Sequence, residues 1–159
     1  MLEQSKTSTN ALADILFTYP TVKMLEYHLN GKGKTFQYIF SKKSPDPFGG
    51  PPPKWFQGCG HGDELVYLFK NGVVNLTDDE KDLSKYLIQY WTSFAKTGYP
   101  IGGKGSISWI PYDTNGRIYL DFDIPIKMKS FLKPETIKFW SDIYSQIEVE
   151  NKMKNHDEL

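Results

Sequence analysis

The clearest periodic stretch lies between Thr77 and Gly98, where Leu83, Leu87, Tyr90 and Phe94 recur at intervals of three and four residues. That spacing predicts an amphipathic helix with one buried stripe. Thr77 and Glu80 fit a capping box at its start, each side chain satisfying an amide that the first helical turn leaves unpaired. Gly98 suits the helix C-cap, and Pro100 prevents simple continuation.

A closing helix is predicted from Pro134, with Ile137, Trp140, Tyr144 and Ile147 along its apolar side. Its tail, "ENKMKN", abandons the pattern and is expected to fray. Residues 11–30 read as two short helical pieces split at Pro20, a residue whose missing amide hydrogen suits a first helical position, with Gly31 closing the second. "TFQYIF", 35–40, has the β-branched and aromatic content of a strand, with Phe36, Tyr38 and Phe40 on one face and Gln37 on the other. The stiff, turn-rich "SPDPFGGPPP" that follows at 44–53 argues against an immediate hairpin partner. "RIYLDF", 117–122, supplies a second short strand. The order is mixed α/β, but with few strands for a complete parallel sheet, whose faces need several neighbouring strands and helical cover.

Composition narrows the function classes. At 159 residues, with 39% hydrophobic and 15% aromatic content, the chain can bury a real core. Nineteen basic residues balance nineteen acidic ones, so nothing favours a polyanionic partner, and nucleic-acid binding is not expected. No stretch approaches the length of an apolar membrane-spanning helix. The opening "MLEQSKTST" lacks the apolar segment of a secretory signal. A lone Cys59 cannot form an internal disulfide or a Cys-based zinc cluster, and no cofactor is expected.

The candidate chemistry lies in "GCGHGDELVYLF", 58–69. Gly60 and Gly62 flank His61, letting the backbone turn sharply and another segment approach the ring. Three readings follow from these residues alone. His61 is a surface turn residue with its glycines there for geometry; or a general acid/base, since imidazole titrates near neutrality; or a metal ligand, for which the other histidines, His28 and His156, sit in unrelated surroundings. Asp63 and Glu64 fit the first turn of a helix, where exposed amides favour negative charge.

The same segment resembles the histidine loop of type-B carboxylesterases, the cholinesterase-like branch of the α/β-hydrolases that includes insect carboxylesterases and juvenile hormone esterases. "LADILFTYP" at 12–20 resembles the stretch ahead of that family's late sheet strand, and "TFQYIF" the strand itself. "LSKYLIQYWTSFAKTGYP", 83–100, is similar to its helix ending in a Phe-Ala-Lys-Thr-Gly run, and "IKFWSDIY", 137–144, to its closing helix. "ISWIPYDTNGRIYLDF", 107–122, resembles its Trp-Pro segment, although Ile110 separates Trp109 from Pro111.

The resemblance implies an α/β fold: an incomplete α/β-hydrolase fold, its C-terminal portion, with late sheet strands and packing helices over 11–147 and a polar tail at 148–159. It also implies that His61 is a catalytic histidine that deprotonates a serine attacking an ester carbonyl, with Gly60, Gly62 and Glu64 as loop support. The implied partner of a full-length parent is a small-molecule carboxylic ester. A Gly-x-Ser-x-Gly elbow does not occur in these 159 residues, and the triad acid and oxyanion loop of this family precede the matching region. The chain alone is therefore expected to be inactive, the C-terminal fragment of a serine esterase; the alternative is a noncatalytic, cholinesterase-like interaction protein or pseudoenzyme.

His156, Asp157, Glu158 and Leu159 spell HDEL at the C-terminus, a tetrapeptide read by the retrieval receptor of the endoplasmic reticulum. The sequon at Asn75, "NLT", agrees with that compartment as a glycosylation acceptor. Residence in the reticulum lumen is the expectation for a full-length parent, since the chain as written shows no signal peptide. Oligomeric state and ester substrate are not legible in the sequence.

Overall fold

The computed structural model describes residues 2–47, 50–69 and 74–157, except for the side chains of 2 and 152–157. Two units emerge, one formed by Met1–Tyr27 with Leu132–Leu159, the other by His28–Phe131.

In the first unit, α1 (Leu2–Ala13) runs through a π-helical turn (Asp14–Thr18) into α2 (Tyr19–His28). The break expected at Pro20 is absent. The Tyr19 amide reaches five residues back to the Asp14 carbonyl, and this widened turn lets the helix pass a residue that has no hydrogen to donate. Tyr19 and Val22 pack on Ile137 of α5 (Pro134–Asp157), with Trp140 at the margin. The Tyr19 and Tyr144 rings stack 4.9 Å apart. Asp14 is buried and accepts from Lys133 Nζ and from Thr18 Oγ1 at 3.1 Å. Helix α5 starts at the predicted Pro134 but continues through the "ENKMKN" segment, so the fraying expected there does not occur. Glu158, Leu159 and the side chains of His156 and Asp157, the proposed retrieval tetrapeptide, lie outside the described residues.

The second unit holds the sheet. Strand β1 (Tyr38–Phe40) pairs in parallel with β2 (Ile118–Phe122), Tyr38 opposite Leu120 and Phe40 opposite Phe122. Strand β3 (Lys127–Ser130), not foreseen in the sequence, pairs with β2 antiparallel. Helix α3 (Glu64–Phe69) and the long α4 (Asp78–Thr97) complete the unit.

Helix α4 follows its pattern. Both arms of the Thr77/Glu80 box are present, and Gly98 closes the helix at φ 75°, its amide donating to the Phe94 carbonyl. Leu83, Leu87 and Tyr90 are buried with Leu120 and Phe122, whereas Phe94 stays half exposed and meets Phe36 edge-on. Tyr38 and Phe40 pack on that core as the alternation predicted. Trp109 sits edge-on to Tyr38, Tyr90 and Phe122, and the Tyr90 hydroxyl donates to the Ile107 carbonyl, which ties the loop after α4 to the core. On the opposite face Gln37, Tyr119 and Asp121 are buried, with Asp121 paired to Lys129.

Candidate active site

The histidine segment lies between the loop after β1 and α3. Gly60 to Asp63 form a tight turn in which the Asp63 amide donates to the Gly60 carbonyl at 3.3 Å. Gly62 adopts φ 84°, a left-handed conformation that disfavours any residue with a Cβ. Gly60 does not share it. A Cβ there would meet the Asp63 carboxylate at ordinary contact distances, the nearest 3.6 Å. Of two glycines read alike in the sequence, the backbone thus calls for the one at 62 and leaves room for a side chain at 60.

His61 is exposed at the corner of this turn, and Asp63 beneath it is only 3% exposed. Asp63 is the residue whose part the sequence concealed. Read as a first-turn acid favoured by helical amides, it instead turns inward, and its Oδ2 accepts the Gly60 amide at 2.8 Å. Burial, together with the charge of Asp63 and a hydrogen bond to it, pushes the Cys59 thiol up to about 12. Cys59 is therefore a protonated donor at neutral pH and a poor nucleophile.

Glu64 opens α3 and is half-buried. Burial, with the charge of Glu64 as a second cause, raises the Tyr38 phenol to about 12. The influence of Glu64 thus extends to the sheet. The remainder of α3 fastens the turn to the core. Val66 and Tyr67 are buried, and the Tyr67 ring lies 5.2 Å from that of Phe40. Ser84 of α4 donates to the Tyr67 carbonyl, while the Tyr67 hydroxyl donates to the Lys43 carbonyl at 3.3 Å and lies 3.5 Å from Glu80 Oε1.

Glu80 is the centre of this anchorage. Its carboxylate takes the Thr77 amide at 3.0 Å and Lys42 Nζ at 3.0 Å. Burial alone would raise its pKa, but the bonds from Thr77 and Lys42 outweigh that and hold the carboxyl below the ordinary glutamate value. The end of β1, α3 and the start of α4 therefore converge on one buried charge.

Asn75 is exposed and stands two residues ahead of the α4 cap Thr77. Gly60, His61, Gly62 and Glu64 are brought together by the turn and the start of α3.

A model of the carboxylesterase family matches residues 2–140. The chain is 31% identical over 150 residues to the medium-chain fatty acyl-CoA hydrolase precursor of Anas platyrhynchos, covering 93% of this chain and 26% of that protein. It is 35% identical over 152 residues to the bile salt-activated lipase of Rattus norvegicus, covering 89% of this chain and 24% of the relative. Among solved structures a PNB esterase superposes with a TM-score of 0.67 at 24% identity, over 81% of this chain and 26% of that one. That likeness shows the fold, a partial α/β-hydrolase architecture with a small mixed sheet. The chain spans about a quarter of the length of the relatives it matches.

Proposed function

The chain belongs to the carboxylesterase family, and from that membership we propose that it supplies the catalytic histidine, His61, of a carboxylic ester hydrolase. The observation that carries the reading is an exposed imidazole on a turn whose other end is buried and anchored in the core. In the proposed reaction His61 accepts the hydroxyl proton of a serine as that oxygen attacks the ester carbonyl, then returns the proton to the departing alcohol. Water repeats the cycle on the acyl-enzyme, with His61 again as base. The serine, the acid that orients the imidazole and the oxyanion donors belong, in this proposal, to parts of the carboxylesterase domain beyond the matched quarter. The 159 residues alone then lack the arrangement that makes acyl transfer fast.

The same proposal assigns a lumenal, glycosylated parent on the HDEL letters at 156–159 and the exposed Asn75. Endoglycosidase H digestion of the native protein would remove a glycan from Asn75 and be without effect on an N75Q variant.

The deciding experiment begins with the native transcript, sequenced through its 5′ end, and expression of the whole reading frame. With a p-nitrophenyl ester, His61→Ala should lower kcat by at least about 10³-fold. The 159-residue chain by itself should show no turnover above solvent hydrolysis. Hydrolysis indifferent to His61→Ala would sink the assignment.

A further inference from the structure

We infer that Asp63 is the positioning residue of the histidine turn, the group through which the protein core sets where the His61 imidazole stands. The inference rests on the reading of His61 as the general base, and it names what holds that base in place.

Asp63 acts on the turn from both sides. Its backbone amide closes the turn onto the Gly60 carbonyl, while its side chain accepts the Gly60 amide. Gly60 is thereby gripped at its donor and its acceptor by one residue, and His61 follows directly on the gripped unit. A turn secured by the first bond alone keeps freedom to rock about it; the second bond removes that freedom.

Burial separates this role from the bland one. A carboxylate serving only to complement the amides at the start of α3 gains that benefit at the surface. Asp63 is instead almost fully buried, a costly place for a charge unless hydrogen bonds to it compensate. The Gly60 amide provides one such bond. The neighbouring Cys59 thiol donates to the Gly60 carbonyl at 3.5 Å, a further hold on the same residue.

The brace also has a fixed base. Asp63 leads straight into α3, whose Val66 and Tyr67 are buried and whose Tyr67 carbonyl is held by Ser84. Through this chain of contacts the exposed imidazole is referred to the sheet and α4. A general base must lie within hydrogen-bond reach of the proton it removes, and small misplacement costs large factors in rate.

The test compares Asp63→Ala, Asp63→Asn and Asp63→Ser in the full chain. The asparagine oxygen still accepts from Gly60, so Asp63→Asn should retain slow exchange of the Gly60 amide and a single set of His61 ring signals by NMR. Asp63→Ala should speed that exchange by about tenfold or more and broaden or shift the ring signals. Serine is favoured ahead of helices but is too short to reach Gly60, so Asp63→Ser should behave as alanine does while keeping α3; it replaces alanine if that variant does not fold. Protection of Gly60 in both shortened variants overturns the proposal, as does freed Gly60 with unchanged His61 ring signals. In the whole reading frame Asp63→Ala should lower kcat by about 10²-fold with little change in KM, and Asp63→Asn should recover most of it. None of the NMR readouts requires ester hydrolysis. If His61→Ala leaves hydrolysis intact, the catalytic reading fails, and the hold of Asp63 on the ring is judged by exchange alone.

Discussion

Gly62 and Gly60 look equivalent on either side of His61, yet only Gly62 takes a left-handed backbone, at φ 84°. Gly62→Ala should therefore cost about 1 kcal/mol, and Gly60→Ala measurably less. Thermal melts decide it; equal losses would mean that backbone conformation is not what selects glycine at 62. Cys59 gives a second prediction. With its thiol raised to about 12 by burial and by Asp63, it is protonated in the folded chain near pH 8. Alkylation by iodoacetamide should be at least about tenfold slower than in the denatured chain, and Asp63→Asn should speed it. The histidine turn was legible because two glycines around a titratable ring form a local signal. The inward turn of Asp63 was not, since an acid before a helix is equally at home in solvent and only the packing of α3 decides between them.

At the level of elements, α3 and α4 share the buried Glu80, and that sharing makes their union sensitive to acid. The folded-state pKa of Glu80 is depressed, because bonds from Thr77 and Lys42 prevail over the opposing effect of burial. A depressed carboxyl contributes stability that is present above its unfolded value, about 4.3, and disappears as pH falls through the lower folded value. The melting temperature should fall in that acid window, and Glu80→Gln should flatten this part of the profile while lowering stability at neutral pH. An unchanged acid limb in Glu80→Gln would remove Glu80 as its cause. Thr77→Ala, which deletes the cap hydroxyl, should cost about 1 kcal/mol by denaturant unfolding. Helix α4 could be read from end to end because cap, stripe and terminating glycine all agree. Strand β3 could not: "KMKS" has two lysines in four residues, and only pairing along β2, with Lys129 reaching the buried Asp121, makes it a strand. The π-helical turn escaped for the opposite reason. Pro20 signals a break, and a one-residue widening of the helix, invisible to periodicity, absorbs it.

Across the whole molecule, the apolar residues outnumber the places available to bury them within these 159 residues. Trp91, Phe94, Tyr99 and Ile101 of the second unit are exposed, and so are Leu16, Phe17, Met24 and Tyr27 of the first. The sheet, at three strands among the described residues, fits the shortage of strands read from the sequence, and the chain spans about a quarter of its matched relatives. Trp91 and Phe94 flank an open cavity of about 390 Å³ whose other walls are also largely aromatic, among them Phe36, Tyr38 and Trp109. Contiguous apolar surface of this kind drives association when nothing covers it. The 159-residue chain on its own should enhance 8-anilinonaphthalene-1-sulfonate fluorescence several-fold and sediment with a weight-average mass that rises with concentration. Trp91→Glu with Phe94→Lys places charge on that surface without touching the buried Leu83, Leu87 and Tyr90, and should reduce both effects while leaving the helical circular dichroism in place. A chain that remains monomeric and dark to the dye up to about 100 μM would show that these side chains find cover within the 159 residues, and the aromatic cavity would then be a closed feature of the fold rather than an open one.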